Sequence, residues 1–142
     1  MRPALSLLVL SSLLVGCGGE QAATSLVGVY YLDRVAMVAT LEQEVGLPRE
    51  TAEVEASRAH MELTCDRNGN FVLQQRLPDG TPQMLHGTWT AQGSDFRLAV
   101  SWRDGKTIEP AQVAAGQLVD GALHLRPFDA AEGTYALVLR RR

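Results

Sequence analysis

The sequence predicts a mainly β protein: an antiparallel up-and-down meander of about eight strands closing into a small barrel, with one short helical insert. Two observations carry that expectation. Turn dipeptides punctuate the chain from residue 68 onward: Asn68-Gly69, Asp79-Gly80, Gln92-Gly93, Asp104-Gly105 and Asp120-Gly121. Asn-Gly and Asp-Gly supply the positive φ angles that tight hairpins need. Between the turns, apolar residues alternate with polar ones, as in Phe71 and Leu73, or Phe96, Leu98, Val100 and Trp102. Period-two alternation bounded by turns means strands with one buried face. A meander of that many strands best protects its edges by closing on itself.

Taken in order, strands are expected at about 26–32, 60–66, 70–76, 82–91, 94–103, 106–118, 122–126 and 133–140. A weak internal echo runs through them. Gly87-Thr88-Trp89 leads to Gly93, Phe96 and Leu98, as Gly116-Gln117-Leu118 leads to Gly121, Leu123 and Leu125. The insert, at about 34–59 between the first and second strands, breaks the alternation. Asp33 suits an N-cap, Val35, Val38, Leu41 and Val45 recur at helical spacing, and Gly46 is a stop. Pro48 fits the first position of a second helix, with Glu50 and Glu53 near its start and Arg58 near its end, the order the helix dipole favours. The apolar face of that helix is thin, formed by Ala52, Ala56 and Ala59. The insert reads as a fixed cap over an open end of the barrel, with a movable lid as the alternative.

The N-terminal stretch has a different character. Met1-Arg2 is a short basic start, and Leu5 to Val15 is almost wholly apolar. That is the pattern of a secretory signal, and it is too short to span a bilayer, which takes about 20 apolar residues. Leu14-Val15-Gly16-Cys17 resembles the lipobox of bacterial lipoproteins. The resemblance implies a diacylglyceryl thioether on Cys17, cleavage between Gly16 and Cys17, and a fatty acid such as palmitate on the new N-terminus. Residues 1–16 are then a signal peptide that is removed, 17–25 a lipidated cysteine and flexible tether, and 26–142 the barrel domain. No aspartate directly follows Cys17. The expected location is therefore the cell envelope, on the outer membrane facing the periplasm where the source has two membranes.

Composition narrows the partners. The chain has a formal net charge of −3, and loss of Arg2 with the signal makes the remainder more acidic. Phosphate binding needs a basic surface, so nucleic acid is not an expected partner. Cys65 is the one cysteine besides Cys17, which leaves no internal disulfide once Cys17 carries lipid. Arg140-Arg141-Arg142 reads as a solvated tail, with contact to anionic headgroups as the alternative.

Several strand segments together resemble a known group. Leu26-Val27-Gly28-Val29-Tyr30-Tyr31-Leu32-Asp33, then Leu63-Thr64-Cys65-Asp66-Arg67-Asn68-Gly69-Asn70-Phe71, Gly87-Thr88-Trp89 and Asp120-Gly121-Ala122-Leu123 are similar to the small lipocalin-like lipoproteins of bacterial envelopes. The resemblance spans nearly all of residues 26–141 and implies a lipocalin-like barrel, without implying a reaction. Cys65 stands where that group usually has an aliphatic residue.

No catalytic constellation is visible. The chain has no Ser-His-Asp signature, no Gly-x-Ser-x-Gly elbow and no glycine-rich phosphate loop. His60, His86 and His124 are scattered singly, without the close spacing of a metal site. No catalytic residue, metal or cofactor is expected. Tyr30, Phe71, Trp89, Phe96, Trp102 and Tyr135 are the bulky residues expected inside, either lining an apolar ligand pocket or filling the barrel themselves. Cys65 shares a face with Met61 and Leu63, which makes it a core thiol or, if accessible, a reactive one. The functional expectation is non-enzymatic: a membrane-anchored protein binding a small apolar ligand or an envelope component. The alternative is a protein-interaction module, an inhibitor or accessory subunit, using the outside of a filled barrel.

Overall fold

The computed structural model describes residues 24–76, 80–126 and 136–142. They form a closed eight-stranded antiparallel barrel in which each strand pairs with the next and β8 returns to β1. The strands are β1 (Gly28–Leu32), β2 (His60–Cys65), β3 (Asn70–Arg76), β4 (Pro82–Gln92), β5 (Asp95–Arg103), β6 (Lys106–Val119), β7 (Ala122–Leu125) and β8 (Leu137–Arg141). The alternation in the sequence becomes the two faces of the wall. Leu63, Leu73, Leu85, Leu98, Leu123 and Leu139 point inward and are fully buried, each contributing about 1.5–3 kcal/mol by leaving water.

The turns work as their composition demands. Asp104 and Gly105 sit at φ 46° and 84°, and Asp120 and Gly121 at φ 49° and 77°. Two successive positive φ values match the right-handed twist of the strands they join. Asp66 organises the β2–β3 connection differently. Its Oδ1 accepts the backbone N–H groups of Asn68 and Asn70 at 2.8 and 2.9 Å.

The echo in the sequence has a packing cause. Phe71 on β3 faces Gly87 on β4, and Phe96 on β5 faces Gly116 on β6. In both pairs the ring of the phenylalanine lies over the glycine. A Cβ on Gly116 would come within 2.3 Å of Phe96 Cζ, and one on Gly87 within 3.0 Å of Phe71 Cε1 and 1.8 Å of the Ala99 carbonyl oxygen. The two rings therefore use space that only glycine leaves open.

Between β1 and β2 the insert forms α1 (Arg34–Thr40), a π-helical turn (Leu41–Val45) and α2 (Arg49–Arg58). The Asp33 side chain caps α1 by accepting the Ala36 N–H at 3.0 Å. Gly46, at φ 77°, ends the turn in a left-handed conformation. Pro48 takes the N-cap position of α2, one residue before the position expected for it. Leu41, Ala52 and Ala56 are buried but lie apart from the barrel core. The insert packs on itself and meets the barrel through α1 and β8, where the outward-facing Val138 is buried.

Candidate functional site

The barrel has two unlike ends. The filled end carries the turns at 66–69, 93–94 and 120–121. The insert end carries the helical insert and the 104–105 turn.

At the filled end, Tyr30, Phe71 and Phe96 are buried inside the barrel. Leu26, just before β1, is fully buried with them. Trp89 is half-buried against the same core, and its indole Nε1 donates to the Asp66 carbonyl oxygen at 3.1 Å. Arg141 closes the end from above. It pairs with Tyr30 in register, and its Nη2 donates to the Tyr30 hydroxyl at 2.8 Å and the Val27 carbonyl at 2.9 Å. Four of the six bulky residues expected inside are thus here, packed on one another and on the glycine pairs. Tyr135 lies outside the described residues.

Trp102 departs from the expected interior stripe. It is paired with His86 on the outer wall, and the two rings meet edge to face at 4.5 Å. The cause is an extra residue. Leu85 pairs with Arg103 and His86 with Trp102, but Gly87 pairs with Val100, so Ser101 is a bulge on β5. Opposite it β6 carries four residues, 108–111, between Thr107 and Gln112. One extra residue inverts every side chain beyond it. Trp102 turns out and Arg103 turns in.

That inversion creates the feature sequence reasoning missed. Inside the insert end, Arg103 lies beside Leu85 and donates from Nη2 to Gln112 Oε1 at 2.8 Å. On the same inner face Gln75 Nε2 donates to Gln83 Oε1 at 2.5 Å, and Met61 pairs with Gln75. Arg103, Gln75 and Gln83 are all half-buried, and Leu137 on β8, also half-buried, packs against the core. The insert end thus presents amide and guanidinium donors above an apolar floor. One sequence signal pointed there: Pro110 in the middle of an otherwise continuous strand, where proline marks an edge or a bulge.

Cys65 is buried in the barrel core. Burial, reinforced by the neighbouring charge of Asp66, pushes its thiol up to about 12. At neutral pH it is a protonated core side chain and a poor nucleophile. The terminal arginines are exposed, as a solvated tail would be, yet each is held by a partner. Arg140 Nε donates to Asp33 Oδ2 at 2.6 Å, Arg141 is held as above, and Arg142 lies over the Tyr31 ring at 4.4 Å. Capping by the Ala36 N–H, aided by Arg140, holds the Asp33 carboxyl below the usual carboxylate range against the opposing effect of burial.

Among the described residues, no three His, Cys, Asp or Glu side chains gather to hold a metal. None of the described helices is long and apolar enough to cross a membrane. Cys17 and the lipobox residues Leu14, Val15 and Gly16 lie outside the described residues. Comparisons with protein-family models, curated proteins and solved structures found no match for the chain.

Proposed function

We propose that the protein is a lipid-anchored cell-envelope protein, attached through Cys17, that binds a small amphiphile at the insert end of its barrel and catalyses no reaction. The observation that supports this is the inward turn of Arg103. A guanidinium bonded to Gln112 and paired with Leu85, on the same inner face as the Gln75–Gln83 pair and Met61, offers donors to a polar head and an apolar bed to its body. Small-molecule sites combine an apolar lining with a few placed polar groups in this way. The aromatic residues serve as the floor of such a site and not its walls, because they are packed at the opposite end. The lipobox resemblance supports the anchor.

The test is native mass spectrometry of residues 18–142, exported without lipid and purified gently from the host envelope. The expected result is a stoichiometric adduct of small-molecule mass, lost on denaturation and absent from an Arg103→Leu variant that still melts cooperatively. A clean apo mass in the unaltered protein would overturn the ligand.

One observation favours a second reading, a protein partner on the outer wall. Met84, His86, Trp102 and Val113 face outward on neighbouring strands, with Met84 and Val113 exposed. His86 Nε2 is buried without a hydrogen-bond partner among the described residues. Crosslinking from Val113 in intact envelopes would capture such a partner.

A further inference from the structure

We infer that the insert end selects an anionic amphiphile, a short single chain whose oxyanion head, a carboxylate or a phosphate monoester, is held between Arg103 and Lys106. This deepens the ligand reading above and rests on it.

The hairpin at 104–105 sets two cations face to face. Arg103 and Lys106 are directly opposite each other in register. Directly opposed residues of an antiparallel pair share one face of the sheet, with Cβ atoms about 4.5–5.5 Å apart. The bulge at Ser101 turns Arg103 inward, and Lys106 turns inward with it. Like charges placed directly opposite each other destabilise a sheet, and a half-buried guanidinium has already lost part of its water. An oxyanion between the two converts repulsion into charge-assisted contacts.

The polar neighbours do not cancel this charge. Gln112 accepts an Arg103 N–H through Oε1 at 2.8 Å but brings no negative charge. Gln75 and Gln83 are neutral amides bonded to each other. Lys106 is exposed, and among the described residues no ion pair engages it.

The carboxylates of this end are turned elsewhere. Glu62 lies between inward-facing Met61 and Leu63, so it faces outward, opposite Tyr31 and Gln74. Asp104 Oδ1 accepts the Met84 N–H at 2.8 Å. Asp33 is held by Ala36 and Arg140. Glu109, in the segment 108–111, is exposed. Where the register assigns a face, the described inner wall of this end carries two cations and no acid.

The tail need only be short. Leu73 and Leu85 stand one inward position below Gln75 and Gln83 and are already fully buried. The floor is closed there, so a long chain has nowhere to run.

The test is calorimetric titration of the mature chain, which keeps every strand of the barrel, exported without its lipid as above. The probes are octanoate, octyl phosphate, octanol, octyltrimethylammonium and acetate, each below the concentration at which it aggregates. The two anionic amphiphiles should bind at least about tenfold more tightly than octanol, and the stronger of them names the head. Arg103→Gln should weaken octanoate by about tenfold, whereas Arg103→Lys should keep the preference for the anion. Lys106→Gln, at an exposed position, should weaken octanoate by up to about fivefold and leave octanol unchanged. Octanol or octyltrimethylammonium binding as tightly as octanoate would overturn the anionic head and leave the ligand reading standing. A Lys106→Gln variant with unaltered octanoate affinity would overturn the pairing of the two cations around the head. Acetate as tight as octanoate would mean a free-anion site and overturn the amphiphile in both readings. If no probe binds, this inference is overturned, and the native mass spectrum of the unaltered protein decides whether the ligand reading falls with it.

Discussion

The two ends of one barrel solve the problem of closing a cylinder in opposite ways. At the filled end, aromatic rings lie over glycine backbone, with Phe71 on Gly87 and Phe96 on Gly116, and Arg141 seals the top through Tyr30. At the insert end, the same inner face carries Gln75, Gln83 and Arg103, hydrogen-bonded side chains that tolerate water. The first arrangement is rigid because a packed core has no room to give. The second leaves polar groups whose partners can be exchanged for those of a ligand at little cost. Stability and binding are thus assigned to different ends, and substitutions should separate them.

The largest effect is expected at the filled end. Phe96→Ala removes a buried ring and bares Gly116, and should cost about 3–5 kcal/mol in urea denaturation. Gln75→Ala at the other end should stay within about 0.5 kcal/mol. Equal losses would mean that the barrel is packed uniformly.

A second substitution tests the ring-over-glycine pairing itself. Gly116→Ala places a methyl against both Phe96 and the His124 carbonyl oxygen, and overpacking of this kind should cost about 1–3 kcal/mol. Shortening the ring with Phe96→Leu should recover part of that loss, because residues in contact are energetically coupled. Recovery should be incomplete, since the His124 oxygen, 2.6 Å from where the new methyl would sit, belongs to the backbone. Strictly additive costs in the double-mutant cycle would show that ring and glycine do not depend on each other.

The smallest effect concerns the junction of barrel and insert. The carboxyl of Asp33 titrates lower in the folded protein than in the unfolded chain. Its contribution to stability is therefore fully present above the unfolded value, about 3.9, and is lost as the pH falls from there through the folded value. The D33N variant keeps a capping side chain but loses the charge that pairs with Arg140. It should lose about 0.2–1 kcal/mol near neutral pH, and as the pH falls below the unfolded value its denaturation midpoint should fall less steeply than that of the unaltered protein. Parallel pH profiles would show that folding does not favour the ionised Asp33 carboxylate, whether through the Ala36 N–H or through Arg140.

What the sequence makes legible, and what it hides, divides along the same line. Strand boundaries follow from local chemistry: Asp104-Gly105 and Asp120-Gly121 adopt the positive φ values their composition favours. The insert likewise begins at the Asp33 cap and pauses at Gly46. The inward placement of Tyr30, Phe71 and Phe96 follows from alternation, which holds wherever the strand is regular. It fails past Ser101, because a single bulge reverses the parity on which alternation depends. Trp102 is consequently read as interior and Arg103 as exterior when each is the opposite. The candidate site is therefore hidden by the irregularity that produces it. The arginines at 140–142 are hidden for another reason. The partner of Arg140 is 107 residues away in sequence, and nothing local to a basic run reveals so distant a carboxylate.

The seam between β1 and β8 also has a kinetic meaning. It joins Tyr30, Tyr31 and Leu32 to Leu139, Arg140 and Arg141, the most widely separated strand pairing in the barrel. Contacts that close long loops form slowly, because the entropy of closure must be met before they return anything. During synthesis, which runs from N to C, β1 would emerge early and wait for all the other strands. Until residues 137–141 arrive, it would have β2 on one side and an unsatisfied edge on the other. The incomplete chain thus presents a free strand edge at β1, and the period of greatest exposure to chaperones and proteases would be set by the rate of synthesis.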